Sequence, residues 1–341
     1  MGDTVISASI HKKLSILLLI LLTPIVAFLF LEERKTRSEL EQIQIGKAGL
    51  DLIKIVWTKV ETVNSTLPST AQPNKKHLET YFSQVSIDSE IREKMAKRWD
   101  TLHDNTAKST KRLSSAQHLI THITKTSQLT NVISKTSPEF AMVAYDRLPE
   151  LSYRIETLMR LSERISLKDK LGQSDAMSFL VNAGQFKAVA DNISRTSRIP
   201  LNEYGISSQD KMDEVGKSFR QQNGKFQGVA VKVTRAIQNE LSTPTLNLSG
   251  PIIDITNLQA NEKNFDKIIS DYWQEIYVVF NSTVLETQSN LENLYRLGMI
   301  LIVAFLIALA TTVWFIRKSI LGQAEQLEKT TAQIEEQNNR L

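Results

Sequence analysis

Few side chains in this 341-residue chain can carry chemistry, and they are widely spaced. Cysteine is absent, which removes thiolate metal sites, disulfides and thiol redox couples together. His118 and His122 are four residues apart and share a helical face, a spacing that can clamp a transition metal. His103 stands fifteen residues before His118, about 22 Å away along a continuous helix. No Glu or Cys accompanies the pair, so a solvent-facing pair is expected, and neither a metal nor another cofactor. Gly224 and Gly228 in NGKFQGVA are too little for a phosphate loop, and no Walker motif, nucleophile elbow or H-E-x-x-H occurs. The chain is therefore not expected to be an enzyme. Arg147 and Arg154, seven residues apart beside Tyr145 and Tyr153, are more informative. Arginine forks facing a groove between helices bind a carboxylate or phosphate bidentately. Tyr145, Arg147 and Arg154 are thus the expected ligand-binding residues, with pairing to the nearby Glu150 and Glu156 as the competing reading.

The elements that must position these residues are helices. Twelve glycines and eight prolines are about half the usual share of these two breakers, and no glycine occurs between Gly49 and Gly172. The prolines and loops divide the chain into helical segments at about 34 to 66, 75 to 135, 138 to 166, 168 to 198, 207 to 241, and 252 onward. Pro149 alone falls within such a segment and predicts a kink or a late helix start, and Ser137 before Pro138 predicts an N-cap. Apolar residues recur every seven positions: Ile43, Leu50 and Trp57; Gly46, Ile53, Val60 and Leu67; Leu151, Leu158 and Ile165; Leu258, Phe265, Tyr272 and Val279. Such seams bury one face of each helix, which predicts an all-α fold of antiparallel bundles.

Two runs lack charge altogether, Leu14 to Leu31 and Leu297 to Ile316. As helices they are about 27 and about 30 Å long, enough to cross a bilayer core. A cleaved signal peptide is the competing reading of the first run. His11, Lys12 and Lys13 before it, and Arg317 and Lys318 after the second, place both flanks on the cytoplasmic side. The expected organisation is a cytoplasmic flank 1–13, transmembrane helix 14–31, periplasmic helical domain 32–296, transmembrane helix 297–316 and cytoplasmic coil 317–341. Charge in the outer region is nearly balanced, so nucleic acid is not an expected partner. In the tail, Ile320, Leu327, Ile334 and Leu341 form a heptad seam with weak polar residues at the other position, the pattern of a parallel homodimeric coil of low intrinsic stability.

With this layout assembled, three stretches resemble bacterial transmembrane sensory receptors, the methyl-accepting chemotaxis proteins and membrane histidine kinases with all-helical periplasmic domains. They are GLDLIKIVWTKV from Gly49, SKTSPEFAMVAYDRLPELSYRI from Ser134, and the run from Phe265 into the second apolar stretch. The outer region is similar in size to the helical bimodular sensors, which implies two stacked four-helix bundles, or one tall one, recognising small organic acids. The resemblance further implies a homodimer in the bacterial inner membrane, sensing a small molecule or a periplasmic partner protein and passing a helix displacement inward. The sequence departs from the pattern after the second span, where Gly322 stands near the place of the proline of a HAMP relay. An output domain, whether for chemotaxis, phosphotransfer or cyclic-nucleotide synthesis, is expected beyond Leu341. The competing class is a membrane-tethered coiled-coil structural or assembly protein without a ligand.

Overall fold

The computed structural model describes residues 3–64, 75–129, 138–167, 172–199, 209–242 and 255–338, and all regular structure among them is helical. The helices are α1 (Asp3–Asn64), α2 (Lys76–Gln84), α3 (Ser89–His103), α4 (Ser109–Thr126), α5 (Pro138–Met142), α6 (Leu148–Ser166), α7 (Gln173–Thr196), α8 (Gln209–Ser242) and α9 (Ile255–Asn338), with a π-helical turn, Val143–Arg147, between α5 and α6. The chain forms two compact units. One comprises Met1–Glu41 with Gln288–Leu341, and the other Gln42–Thr287.

The seven-residue series become the core of the Gln42–Thr287 unit. Leu50, Ile53, Trp57 and Val60 of α1, Leu151, Leu158 and Ile165 of α6, and Leu258, Phe265, Tyr272 and Val279 of α9 are all buried. Phe186 of α7, Phe219 and Phe226 of α8, and Phe265 and Tyr272 of α9 join them as one aromatic cluster with ring centroids 5.0 to 6.3 Å apart. Leu67, Ser137 and the Ser242 to Pro251 loop beyond its first residue lie outside the described residues.

The described part of the segment from 75 to 135, residues 75–129, is three helices, not one. No proline or glycine breaks it; two aspartates do. Asp88 caps α3 by accepting from the Glu90 N–H at 2.8 Å. After His103, the Asp104 carboxylate accepts from the Thr106 N–H at 2.9 Å and the Thr106 hydroxyl at 2.6 Å. An aspartate that satisfies nearby backbone donors in this way offers the chain an alternative to the helix. Pro149 has a different effect. It has no N–H to give the Tyr145 carbonyl, its ring would crowd that oxygen, and the turn before it widens so that the Leu148 N–H bonds the Val143 carbonyl.

In the other unit, α1 includes Pro24 within its span. Residues 14–31 fall within α1, although most of their side chains lie outside those described. Among the described residues one helix is long and apolar enough to cross a membrane, the Asn257–Glu335 part of α9, whose most apolar window has a mean hydropathy of 2.7 and no buried residue. Leu297, Ile300, Leu301, Val303, Ile307 and Phe315 are all exposed. Ile320, Leu327 and Ile334 lie on the same helix, the latter two exposed, while Leu341 is outside the described residues.

Candidate functional site

The π turn and the start of α6 hold the residues that the arginine spacing singled out. Arg147 Nη1 donates to Glu150 Oε2 at 3.2 Å, and Arg154 Nη2 donates to Glu150 Oε1 at 3.3 Å, so one carboxylate bridges both forks. Glu150 lies between them in sequence, at the i+3 and i−4 positions that share a helical face. Arg147 also stands 3.5 Å from Asp146, and Arg154 Nη1 donates to Gln185 Oε1 of α7 at 2.6 Å. The Arg154 guanidinium lies over the Tyr153 ring, 5.4 Å from its centroid. The Nε atoms of both arginines are buried and donate no hydrogen bond. The internal pairing is therefore incomplete. Arg147 Nε is the atom that faces the Asp146 carboxylate at 3.5 Å, so only Arg154 Nε is left without a charged partner, and Glu150 is the group an incoming anion would displace.

Tyr145 is carried on the π turn and points into the core. It is 4 % exposed, its hydroxyl has no hydrogen-bond partner, and its ring lies 5.7 Å from Phe280 of α9. Burial holds its pKa well above that of a free tyrosine, with Tyr277 adding to the effect. Tyr145 is thus not on the surface with the two arginines, although the π turn joins them directly.

Beside it stands a column that spacing did not reveal. Trp57 of α1 stacks on Trp273 of α9 at 5.0 Å with the planes 8° apart, and Trp273 stacks on Tyr277 at 5.4 Å. Lys54 caps the column, its Nζ 4.7 Å from the centre of the Tyr277 ring. Both indole N–H groups are buried without an acceptor. Trp57 belongs to a heptad series, but Trp273 and Tyr277 fall outside the α9 series, so the periodicity gave no signal for the stack.

His118 and His122 lie on α4 as expected, and the company they keep is cationic. Burial and then Arg98 lower the pKa of each, with His118, Lys125 and Lys94 adding to the effect at His122. Among the described residues no group of three His, Cys, Asp or Glu side chains surrounds them. Two concavities lie elsewhere. In the Gln42–Thr287 unit, an open groove of about 690 Å³ between α2 and α3 is lined by Leu78, Phe82, Ile87, Arg92, Glu93 and Ala96. In the other unit, a pocket of about 170 Å³ includes Glu32, Glu33, Thr36 and Tyr295, with the Tyr295 hydroxyl donating to Glu33 at 3.5 Å.

Comparison with protein-family models, with curated proteins and with solved structures finds no match to this chain.

Proposed function

We propose that the chain is the signal-input portion of a bacterial transmembrane receptor. In this reading residues 14–31 and 297–316 cross the inner membrane, 32–296 form a periplasmic sensor, and the coil from Ile320 pairs with that of a second copy. The ligand is a small organic acid or a periplasmic partner protein, and its binding shifts α9 and hence the coil. One observation carries the reading. The helix that supplies buried core residues from Leu258 to Val284 goes on, without a break, into an apolar stretch in which no residue is buried. Leaving so apolar a stretch largely exposed is unfavourable in water and natural in a bilayer, and a continuous helix is a stiff element through which displacement can pass.

Arg147 and Arg154 are the proposed ligand-contacting residues, with Glu150 as the carboxylate that the ligand displaces. That same Glu150, already bridging both forks, is the observation that favours the second reading, a membrane-tethered coiled-coil spacer without a ligand. Disulfide formation at Leu327→Cys separates the two. The chain has no cysteine of its own, so an oxidised dimer reports the coil alone. The receptor reading expects a cross-link whose rate changes when succinate, malate, citrate or acetate is supplied on the outer side, and expects Arg147→Ala to remove the change. A cross-link indifferent to all four acids removes the organic-acid ligand and favours the spacer or a partner-protein ligand; no cross-link at all contradicts the paired coil.

A further inference from the structure

The pocket of about 170 Å³ lies between α1 and α9 in the unit of Met1–Glu41 and Gln288–Leu341, where both helices leave their uncharged runs. Glu32 and Glu33 of α1 directly follow the run that ends at Leu31, and Leu297 of α9 opens the other. Leu294, Leu297, Gly298 and Leu301 line the cavity at spacings of three and four, so one face of α9 forms its wall. Polarity changes along that wall. Glu32, Glu33 and Tyr295 belong to the part outside the uncharged runs, and Leu297, Leu301 and Ile302 to the part within the second run. With both runs in a bilayer, the cavity spans the level at which water gives way to hydrocarbon, one half polar and the other apolar.

The polar half is acidic and only partly satisfied. Glu33 accepts the Tyr295 hydroxyl at 3.5 Å, a long bond. Thr36, which also lines the cavity, spends its hydroxyl on the Glu32 carbonyl at 2.9 Å. Among the described residues no lysine or arginine pairs with either carboxylate. The apolar half has room. A Cβ added at Gly298 would meet no atom within 4 Å, so the wall is open where this glycine stands.

A cavity with carboxylates at one end and hydrocarbon at the other fits an amphiphile whose polar end is a cation. We propose that it holds one aminophospholipid of the phosphatidylethanolamine class, with the primary ammonium on Glu32 and Glu33 and the first part of the acyl chains along Leu297, Leu301 and Ile302. An ammonium carries three donors, enough to serve both carboxylates with charge-assisted bonds. Phosphatidylglycerol has the same glycerol and acyl parts, but its headgroup is an uncharged alcohol on a negative phosphate, and the two carboxylates repel it. The apolar wall favours a lipid over a free amine, because only the lipid buries hydrocarbon against it. The inference rests on the membrane-spanning part of the proposed function and is independent of the Arg147 network.

The test is native mass spectrometry of the full chain released from nanodiscs that hold phosphatidylethanolamine and phosphatidylglycerol with identical acyl chains in equal amounts. A single phosphatidylethanolamine stays on each chain, retained over phosphatidylglycerol by about tenfold or more, the ratio expected for a charge-assisted bond. Glu32→Gln together with Glu33→Gln keeps the shape and removes the preference. Gly298→Phe fills the cavity, leaves both carboxylates in place and removes the retained lipid. Equal retention of the two lipids by the unaltered chain, or a preference that survives the double glutamine variant, overturns the inference. Should the double variant fail to fold, Gly298→Phe is read alone, and undiminished retention overturns the inference. Free ethanolamine that displaces the lipid at equal concentration overturns the part assigned to the apolar wall. A chain that does not enter nanodiscs overturns the membrane reading and this inference with it, whereas one that enters them and shows no preference overturns this inference alone.

Discussion

Gly49 of α1 is a sharp place to test the packing. A Cβ at this position would lie 2.5 Å from the Ser127 Cβ and closer still to its Oγ, with Ile123 Cγ2 3.5 Å away. Carbon atoms rest at about 3.5 to 4.0 Å, so Ser127 would have to retreat by about 1 Å or more. It has little freedom to do so. It is fully buried, its hydroxyl donates to the Ile123 carbonyl at 2.6 Å and its N–H to the same oxygen at 2.9 Å, and Gln128 after it has a φ of 50°. Forcing a methyl into such a site costs about 1 to 3 kcal/mol; two overlapping atoms place the cost near the top of that range. Alanine gains about 1 kcal/mol over glycine in a helix, which leaves Gly49→Ala destabilised by about 2 kcal/mol. For a unit of this size that is a fall of roughly 4 to 8 °C in Tm, readable from tryptophan fluorescence in detergent. The geometry also dictates the rescue. Ser127→Gly removes both opposing atoms, so in that background Gly49→Ala becomes stabilising, whereas Ser127→Ala keeps the Cβ and does not rescue. A Gly49→Ala chain that unfolds no lower than the unaltered one, or a double variant with Ser127→Gly showing no favourable coupling, refutes the packing.

Asp88→Ala removes the α3 cap and lowers stability by about 1 kcal/mol, a Tm fall of roughly 2 to 4 °C by the same measurement; an unchanged Tm would mean that the cap does not hold the break. Glu262 of α9 gives a pH dependence. Burial, and then Asp266, Glu156 and Glu163, raise its pKa from 4.5 to about 8 against Lys263. Because the folded chain holds that proton more tightly than the unfolded chain, stability declines as pH rises from 4.5 through about 8. Glu262→Gln removes the decline, so its Tm relative to the unaltered chain rises with pH across that interval; a difference constant with pH contradicts the assignment.

The parts of the fold that were readable from sequence are those set by periodicity. Leu258, Phe265, Tyr272 and Val279 recur at seven and are buried together, because residues seven apart on a helix share a face whatever lies around them. The breaks at Asp88 and Asp104 involve neither glycine nor proline and act through side-chain oxygens, whose bonds the residue pattern does not display. Pro149 was correctly singled out as a disturbance, but the π turn that it produces depends on how the chain relaxes around one missing N–H. At the candidate site the spacing of Arg147 and Arg154 identified a pair on one face. The sequence offers Glu150 and Glu156 as competing partners, but not that Glu150 alone bridges both forks or that Tyr145 turns inward.

The most direct test of the account is the side of the membrane on which each unit lies. Lys97 of α3 and Gln333 of α9 are both exposed, and the absence of natural cysteine lets each be labelled alone as Lys97→Cys or Gln333→Cys. In cells with a permeabilised outer membrane and an intact inner one, a membrane-impermeant maleimide is predicted to label Lys97→Cys at once and Gln333→Cys only after lysis. Equal labelling of both before lysis, or labelling of Gln333→Cys alone, would contradict a receptor that carries its helical bundle outside and its coil within.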